Sequence, residues 1–138
     1  MKQLVQIAPA DLAAVWSRVR PGLESMDKAD GWIPEDVYCS LKLGHATLYL
    51  VTIDEVEHGF LVLRALQDYD GARLHIWVLH STTGVDVMAA FSDELDEMGR
   101  RIGAKKLTFG TTRRGWAKTA PKYGFSQLEV IWQRSIGG

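Results

Sequence analysis

The sequence predicts an α+β domain, a mixed, mostly antiparallel six-stranded sheet flanked by four helices. Three observations carry that expectation: three consecutive β-type runs separated only by short turns, one strongly amphipathic stretch between the third run and a fourth, and two helical segments ahead of the first run. The 138 residues, 46% hydrophobic and 24% charged, suit a single domain spanning residues 1–138. No apolar run reaches the ~18 residues needed to span a bilayer. The opening Met1-Lys2-Gln3-Leu4-Val5 has no signal-peptide core, so a soluble, cytoplasmic protein without membrane partners is expected. Cys39 is the only cysteine and the four histidines lack zinc-type spacing, so neither an internal disulfide nor a metal is expected.

Leu4, Val5 and Ile7 read as β1, and Pro9-Ala10-Asp11 supplies the break and the acid that precede a helix. Leu12, Val15, Trp16, Val19 and Leu23 form one apolar stripe, α1, interrupted or ended near Pro21-Gly22. From Pro34 to Gly44, an early proline, two acids in the first turn and a closing glycine bound α2. The hairpin-linked runs are β2 (46–52), β3 (59–66) and β4 (72–79). Met88, Phe91, Leu95, Met98 and Ile102 then recur at three, four, three, four, which defines α3 from Gly84 to Gly103. Residues 105–111 read as β5, 115–122 as α4 and 127–136 as a returning β6. The order is β1-α1-α2-β2-β3-β4-α3-β5-α4-β6. The crossover through α3 makes β4 and β5 a parallel pair, and α3 then aims its free N–H groups into the crevice at the end of β4, so an anion site is expected at residues 81–88.

Charge is unevenly spread. Residues 1–99 hold 7 Lys/Arg against 16 Asp/Glu, a net of −9, and residues 100–138 hold 9 against Glu129 alone, a net of +8. Arg100, Arg101, Lys105, Lys106, Arg113, Arg114, Lys118 and Lys122 can gather a polyanion if the fold places them on one face, or can neutralise the acidic remainder of the molecule. Sequence separation leaves both readings open.

Several short pieces carry a family likeness. Pro9-Ala10-Asp11-Leu12 follows the first strand, Gly59-Phe60-Leu61-Val62 lies on β3, and Gly103-Ala104-Lys105-Lys106-Leu107 leads to Lys122-Tyr123-Gly124-Phe125. With the element order, they resemble the GNAT superfamily of N-acetyltransferases. Tyr38 and Cys39 in a helix ending at Gly44, with Arg113-Arg114-Gly115-Trp116-Ala117-Lys118 before the closing Gly-Phe, are similar to short phage-encoded members. The resemblance implies acyl transfer from acetyl-CoA, or a relative bound to CoA, to an amine on a small molecule or a protein. It implies that Leu79, His80 and Ser81 face the pantetheine arm and that Thr82, Thr83, Gly84, Val85, Asp86 and Val87 form the phosphate loop. Asp86 departs from the family pattern, standing where a small residue lets backbone approach the phosphates. It either faces the loop and repels phosphate or turns away as a helix cap.

For the catalytic positions, the resemblance implies a tyrosine acid four residues before the closing glycine, where this chain has Ala120; Tyr123 and Ser81 are the replacements. His80 is the candidate base, because a neutral imidazole accepts an amine proton near neutral pH. His75 and His80 fall on opposite faces of a regular strand unless a bulge intervenes. Glu57 and His58 lie at the start of β3 without a motif. The leading expectation is an acyl-CoA-dependent N-acyltransferase, monomeric or homodimeric. The alternatives are a non-catalytic phage structural or accessory protein of the same fold, partnered by phage structural proteins, and a nucleic-acid binder using the basic C-terminal region with Trp116.

Overall fold

The computed structural model describes residues 1–26, 31–111 and 115–137. Strand β1 (Lys2–Ile7) leads through a single 3-10 turn at Pro9–Asp11 into α1 (Leu12–Ser25), and α2 spans Pro34–Lys42. The sheet continues with β2 (Thr47–Ile53), β3 (Val56–Asp68) and β4 (Gly71–Ser81). Helix α3 (Val87–Arg101) crosses to β5 (Ala104–Phe109), and α4 (Trp116–Thr119) runs into a 3-10 turn at Ala120–Tyr123. Strand order follows chain order, β1-β2-β3-β4-β5, with every neighbouring pair antiparallel except the parallel β4 and β5. Hairpins require adjacent antiparallel strands, and the α3 crossover is what a parallel pair requires.

Two expectations are corrected. Among the described residues the sheet has five strands and not six, because residues 126–137 carry neither helix nor strand. Their apolar side chains do not supply a neighbouring strand, and Leu128, Val130, Ile131, Trp132 and Ile136 are 57–89% exposed. The first helix does not end at Pro21 but continues to Ser25. Val19 and Leu23, on either side of the proline, are both buried, and their packing against the sheet offsets the hydrogen bond that proline cannot donate.

Each face of the sheet has its own core. Leu12, Val15, Val19 and Leu23 of α1, with Val37 and Leu41 of α2, cover Leu48, Leu50, Phe60, Val62 and Val78. On the other face Met88, Phe91 and Leu95 of α3 cover Val51, Leu61, Leu63, Leu74 and Ile76. The four-residue recurrence on α3 is therefore the stripe that holds the crossover to the sheet.

Two single-residue irregularities interrupt the sheet. His58 is an extra residue in β3, since Val51 pairs with Gly59 and Thr52 with Glu57. Trp77 is an extra residue in β4, since Val62 pairs with Val78 and Leu63 with Ile76. Beside the first, Gly59 has φ +149°, and an added Cβ would stand 2.0 Å from the His80 carbonyl oxygen. Replacement Gly59→Ala is expected to destabilise the fold by about 2–4 kcal/mol, through strain and a forced shift of β4. Phe91→Ala, at a fully buried ring, is expected to cost about 3–5 kcal/mol. Urea unfolding with unchanged m-values checks both.

Candidate functional site

Strands β4 and β5 separate part-way along their length. Their last paired residues are Ile76 and Phe109, while β4 continues to Ser81, paired only with β3. From Trp77 to Ser81 the side of β4 that faced β5 therefore presents backbone N–H and C=O groups with no strand opposite among the described residues. Such groups need partners, which water or an extended ligand able to pair with backbone can supply.

The bulge decides which side chains reach this place. Leu74, Ile76 and Leu79 pack on the α3 side, whereas Trp77 and Val78 both pack on the α1–α2 side. Two successive residues on one face shift the alternation, so His75 and His80 share the α1–α2 face despite their odd and even numbers. They do not meet there. The Nδ1 of His75 is 2.8 Å from Thr108 Oγ1 on β5. His80 lies against Phe60, with ring centroids 5.4 Å apart, and beneath Gly22 of α1, where an added Cβ would come within 2.8 Å of both rings. Gly22 was read from sequence as part of a helix end; its service is to let the imidazole lie under the helix. Burial lowers the pKa of His80, so the ring is neutral at pH 7 and able to accept a proton.

Ser81 ends β4 with its Oγ buried and without a hydrogen-bond partner among the described residues. The following loop is fastened to β3, with Thr82 N–H donating to His58 O at 2.8 Å and Thr83 Oγ1 2.7 Å from His58 Nδ1. Gly84 turns the chain at φ +79°. Val85 is half-buried against the α3 core and Val87 is buried within it, so both anchor the loop rather than face solvent. Glu57, at the same rim, pairs with Arg18 of α1 at 3.2 Å.

Asp86 settles as a cap. Its Oδ1 accepts from Ala89 N–H at 3.0 Å, and its Oδ2 accepts the Tyr123 hydroxyl. The tyrosine hydrogen bond, then the Ala89 N–H, lowers the Asp86 pKa, and the same carboxylate raises that of Tyr123. Asp86 is exposed, yet the cap keeps its charge at the start of α3 instead of directing it away from the loop. Tyr123 approaches Trp116 at 6.5 Å, and Trp116 and Phe125 each stand edge-on to Phe109 at 4.9 Å. These rings cluster at the end of β5, with Phe109, Tyr123 and Phe125 packed against the α3-side core.

Some of the basic block is neutralised locally. Arg100 and Arg101 pair with Glu97, and Lys106 lies 4.0 Å from both Asp68 and Asp70. Arg113 and Arg114 lie outside the described residues. No helix among the described residues is long and apolar enough to cross a membrane. An apolar cavity of about 140 Å³ lined by Ile7, Pro9, Leu12, Leu41 and Leu48 shares no residue with the cleft.

No protein-family model matches the chain, and no curated protein matches its sequence. Solved structures match over nearly the whole length. An aminoglycoside N-acetyltransferase in complex with CoA is 17% identical, over 98% of this chain and 95% of that one, with a TM-score of 0.69. A ribosomal-protein-alanine N-acetyltransferase from Brucella melitensis biovar Abortus 2308 is 13% identical, over 100% and 99%, with a TM-score of 0.62. A Trypanosoma brucei acetyltransferase is 15% identical, over 99% and 100%, with a TM-score of 0.63. This chain has the GNAT fold.

The parts of this GNAT fold that would meet an acyl-CoA differ in fit. The unpaired β4 edge and the orphaned Ser81 Oγ suit a pantetheine arm and a thioester. The start of α3 does not suit a diphosphate, because Asp86 already occupies it with a carboxylate. Two unit charges about 4 Å apart repel by about 1 kcal/mol in bulk water and about 4 kcal/mol at an effective dielectric of 20; Asp86 is exposed, which favours the lower end.

Two pH effects are expected. In the unfolded chain His80 takes a proton near pH 6.5, and in the fold it does so only at lower pH. Stability therefore falls as pH drops through about 6.5, until the folded pKa is reached, and His80→Gln is expected to flatten that slope. For Asp86 the folded pKa lies below the unfolded one, so its contribution is complete at neutral pH and is lost as pH falls below about 4. Proton-NMR titration of His80 and denaturant unfolding across pH 3–8 check both.

Proposed function

We propose that this protein is an N-acyltransferase that takes an acyl group from a pantetheine thioester such as acetyl-CoA and delivers it to an amine. The observation that carries the reading is the parting of β4 from β5 beyond Ile76 and Phe109, which leaves residues 77–81 to pair with a ligand. A bound thioester supplies an activated acyl carbon. The chain's own residues do the rest. The β4 edge holds the arm extended, and the Phe109, Trp116 and Phe125 rings exclude water from one side. His80, neutral and beneath α1, takes the proton that the attacking amine loses. Ser81 Oγ offers a hydroxyl at the end of the same strand, to donate toward a developing oxyanion or a leaving thiolate. Tyr123 is the other hydroxyl proposed as acid, and to act it must first leave Asp86.

A second reading is a non-catalytic protein of the same fold. It is favoured by one feature, the Tyr123–Asp86 contact, which engages both a candidate acid and the start of α3 within the chain itself.

Calorimetric titration with acetyl-CoA at about 0.15 M salt, with ATP as an anion control, tests the donor reading. Binding of acetyl-CoA and not ATP is expected; equal weak binding of both overturns it. With a panel of primary amines, His80→Gln is expected to lower kcat by about 100-fold or more and Ser81→Ala by about 10-fold or more, with donor affinity within about threefold of the parent. Turnover by neither the parent nor the variants, alongside intact donor binding, selects the non-catalytic reading.

A further inference from the structure

The two ends of the donor cleft are finished differently. At the pantetheine end, the chain leaves its own polar groups unspent: among the described residues, the β4 edge from Trp77 to Ser81 has no strand opposite, and Ser81 Oγ is buried without a partner. At the helix end, it spends some of them. Thr82 N–H is given to His58 O, Thr83 Oγ1 stands against His58 Nδ1, and Ala89 N–H is given to Asp86 Oδ1.

The carboxylate is also fixed in place. Tyr123 donates to its second oxygen, and Tyr123 is itself set by the Trp116 ring and by the turn at Gly124, φ +84°. Among the described residues, Lys2 is the cation recorded against the first turns of α3. It is engaged one turn further on, at the Ala90 carbonyl and, 3.7 Å away, at Glu94. A dianionic group arriving at the start of α3 would therefore meet a negative charge held from two sides, with the Ala89 N–H already given to that carboxylate. An uncharged pantetheine arm would not be repelled.

We propose that Asp86 is a specificity-determining residue that makes the cleft read its donor through the pantetheine arm, so that the donor is an acyl-pantetheine thioester bound without a diphosphate seated at α3. The inference rests on the donor reading above. Two sources present this chemistry, a free pantetheine thioester and the phosphopantetheine arm of a carrier protein, and both lack the diphosphate of CoA.

Titration calorimetry with acetyl-pantetheine, an acetyl-phosphopantetheinyl carrier protein and acetyl-CoA tests it on the full chain. Acetyl-pantetheine is expected to bind within about threefold of acetyl-CoA. Asp86→Asn keeps a capping oxygen and removes the charge; it is expected to tighten acetyl-CoA by about fivefold or more and to leave acetyl-pantetheine within about twofold. Tyr123→Phe keeps the charge and is expected to leave the ratio of the two affinities within about twofold of the parent. Tighter binding of the carrier protein than of free acetyl-pantetheine assigns the donor to a carrier, and the reverse assigns it to a free thioester; either supports the proposal. An acetyl-CoA preference above about threefold in the parent, an unchanged ratio in Asp86→Asn, or an equal gain in Tyr123→Phe overturns it while leaving the donor reading in place. Failure of all three probes to bind a protein that unfolds cooperatively overturns both.

Discussion

Backbone groups in a sheet need partners along their whole length, and β4 is the strand on which that requirement is divided. Up to Ile76 it is paired on both sides, with β3 and β5; from Trp77 to Ser81 it is paired on one. The proposed donor site follows from where that division falls. The extra residue Trp77 stands at the same point, carried on the α1–α2 face with its ring edge-on to Trp32 at 6.4 Å and under the Arg64 guanidinium at 4.8 Å. Those contacts hold the bulge, and the bulge turns His80 toward α1.

Around that strand, the two cores act as clamps. The α1–α2 layer covers His80 and Phe60, with Gly22 as the point of closest approach, and the α3 layer fixes the loop from Thr82 to Asp86 by burying Val87 and Met88 just beyond it. Rigid packing on both faces lets a short loop keep one conformation. The Asp86 cap is part of that rigidity, since it fastens the helix start to Tyr123 on a separate segment.

The basic C-terminal block illustrates how sequence separation misleads about electrostatics. Lys106 is dozens of positions from Asp68 and Asp70 but lies within reach of both, because β5 is the parallel neighbour of β4. A run that reads as a polyanion site is in part a set of counter-charges for the same molecule. Exposed pairs of this kind contribute little stability individually, and their effect is to lower the local field.

The periodicity of α3, the hairpin runs and the glycine and proline punctuation made the element order legible, since each is a local property of the chain. The crossover order pointed to the crevice at the end of β4, and the likeness to the GNAT superfamily implied which residues would line it. By itself the sequence thus determined the α+β class and the parallel pair. Tertiary structure alone decided the rest. The run at 127–136 is rich in strand-forming residues, but a strand exists only where another strand accepts its hydrogen bonds, and none among the described residues does. The shared face of His75 and His80 depended on a bulge that exists only in the pairing of β4 with β3. The direction of Asp86 depended on a hydroxyl 37 positions away. Local pattern fixes what a segment prefers; pairing, burial and charge contacts made across the fold fix which groups remain free to act.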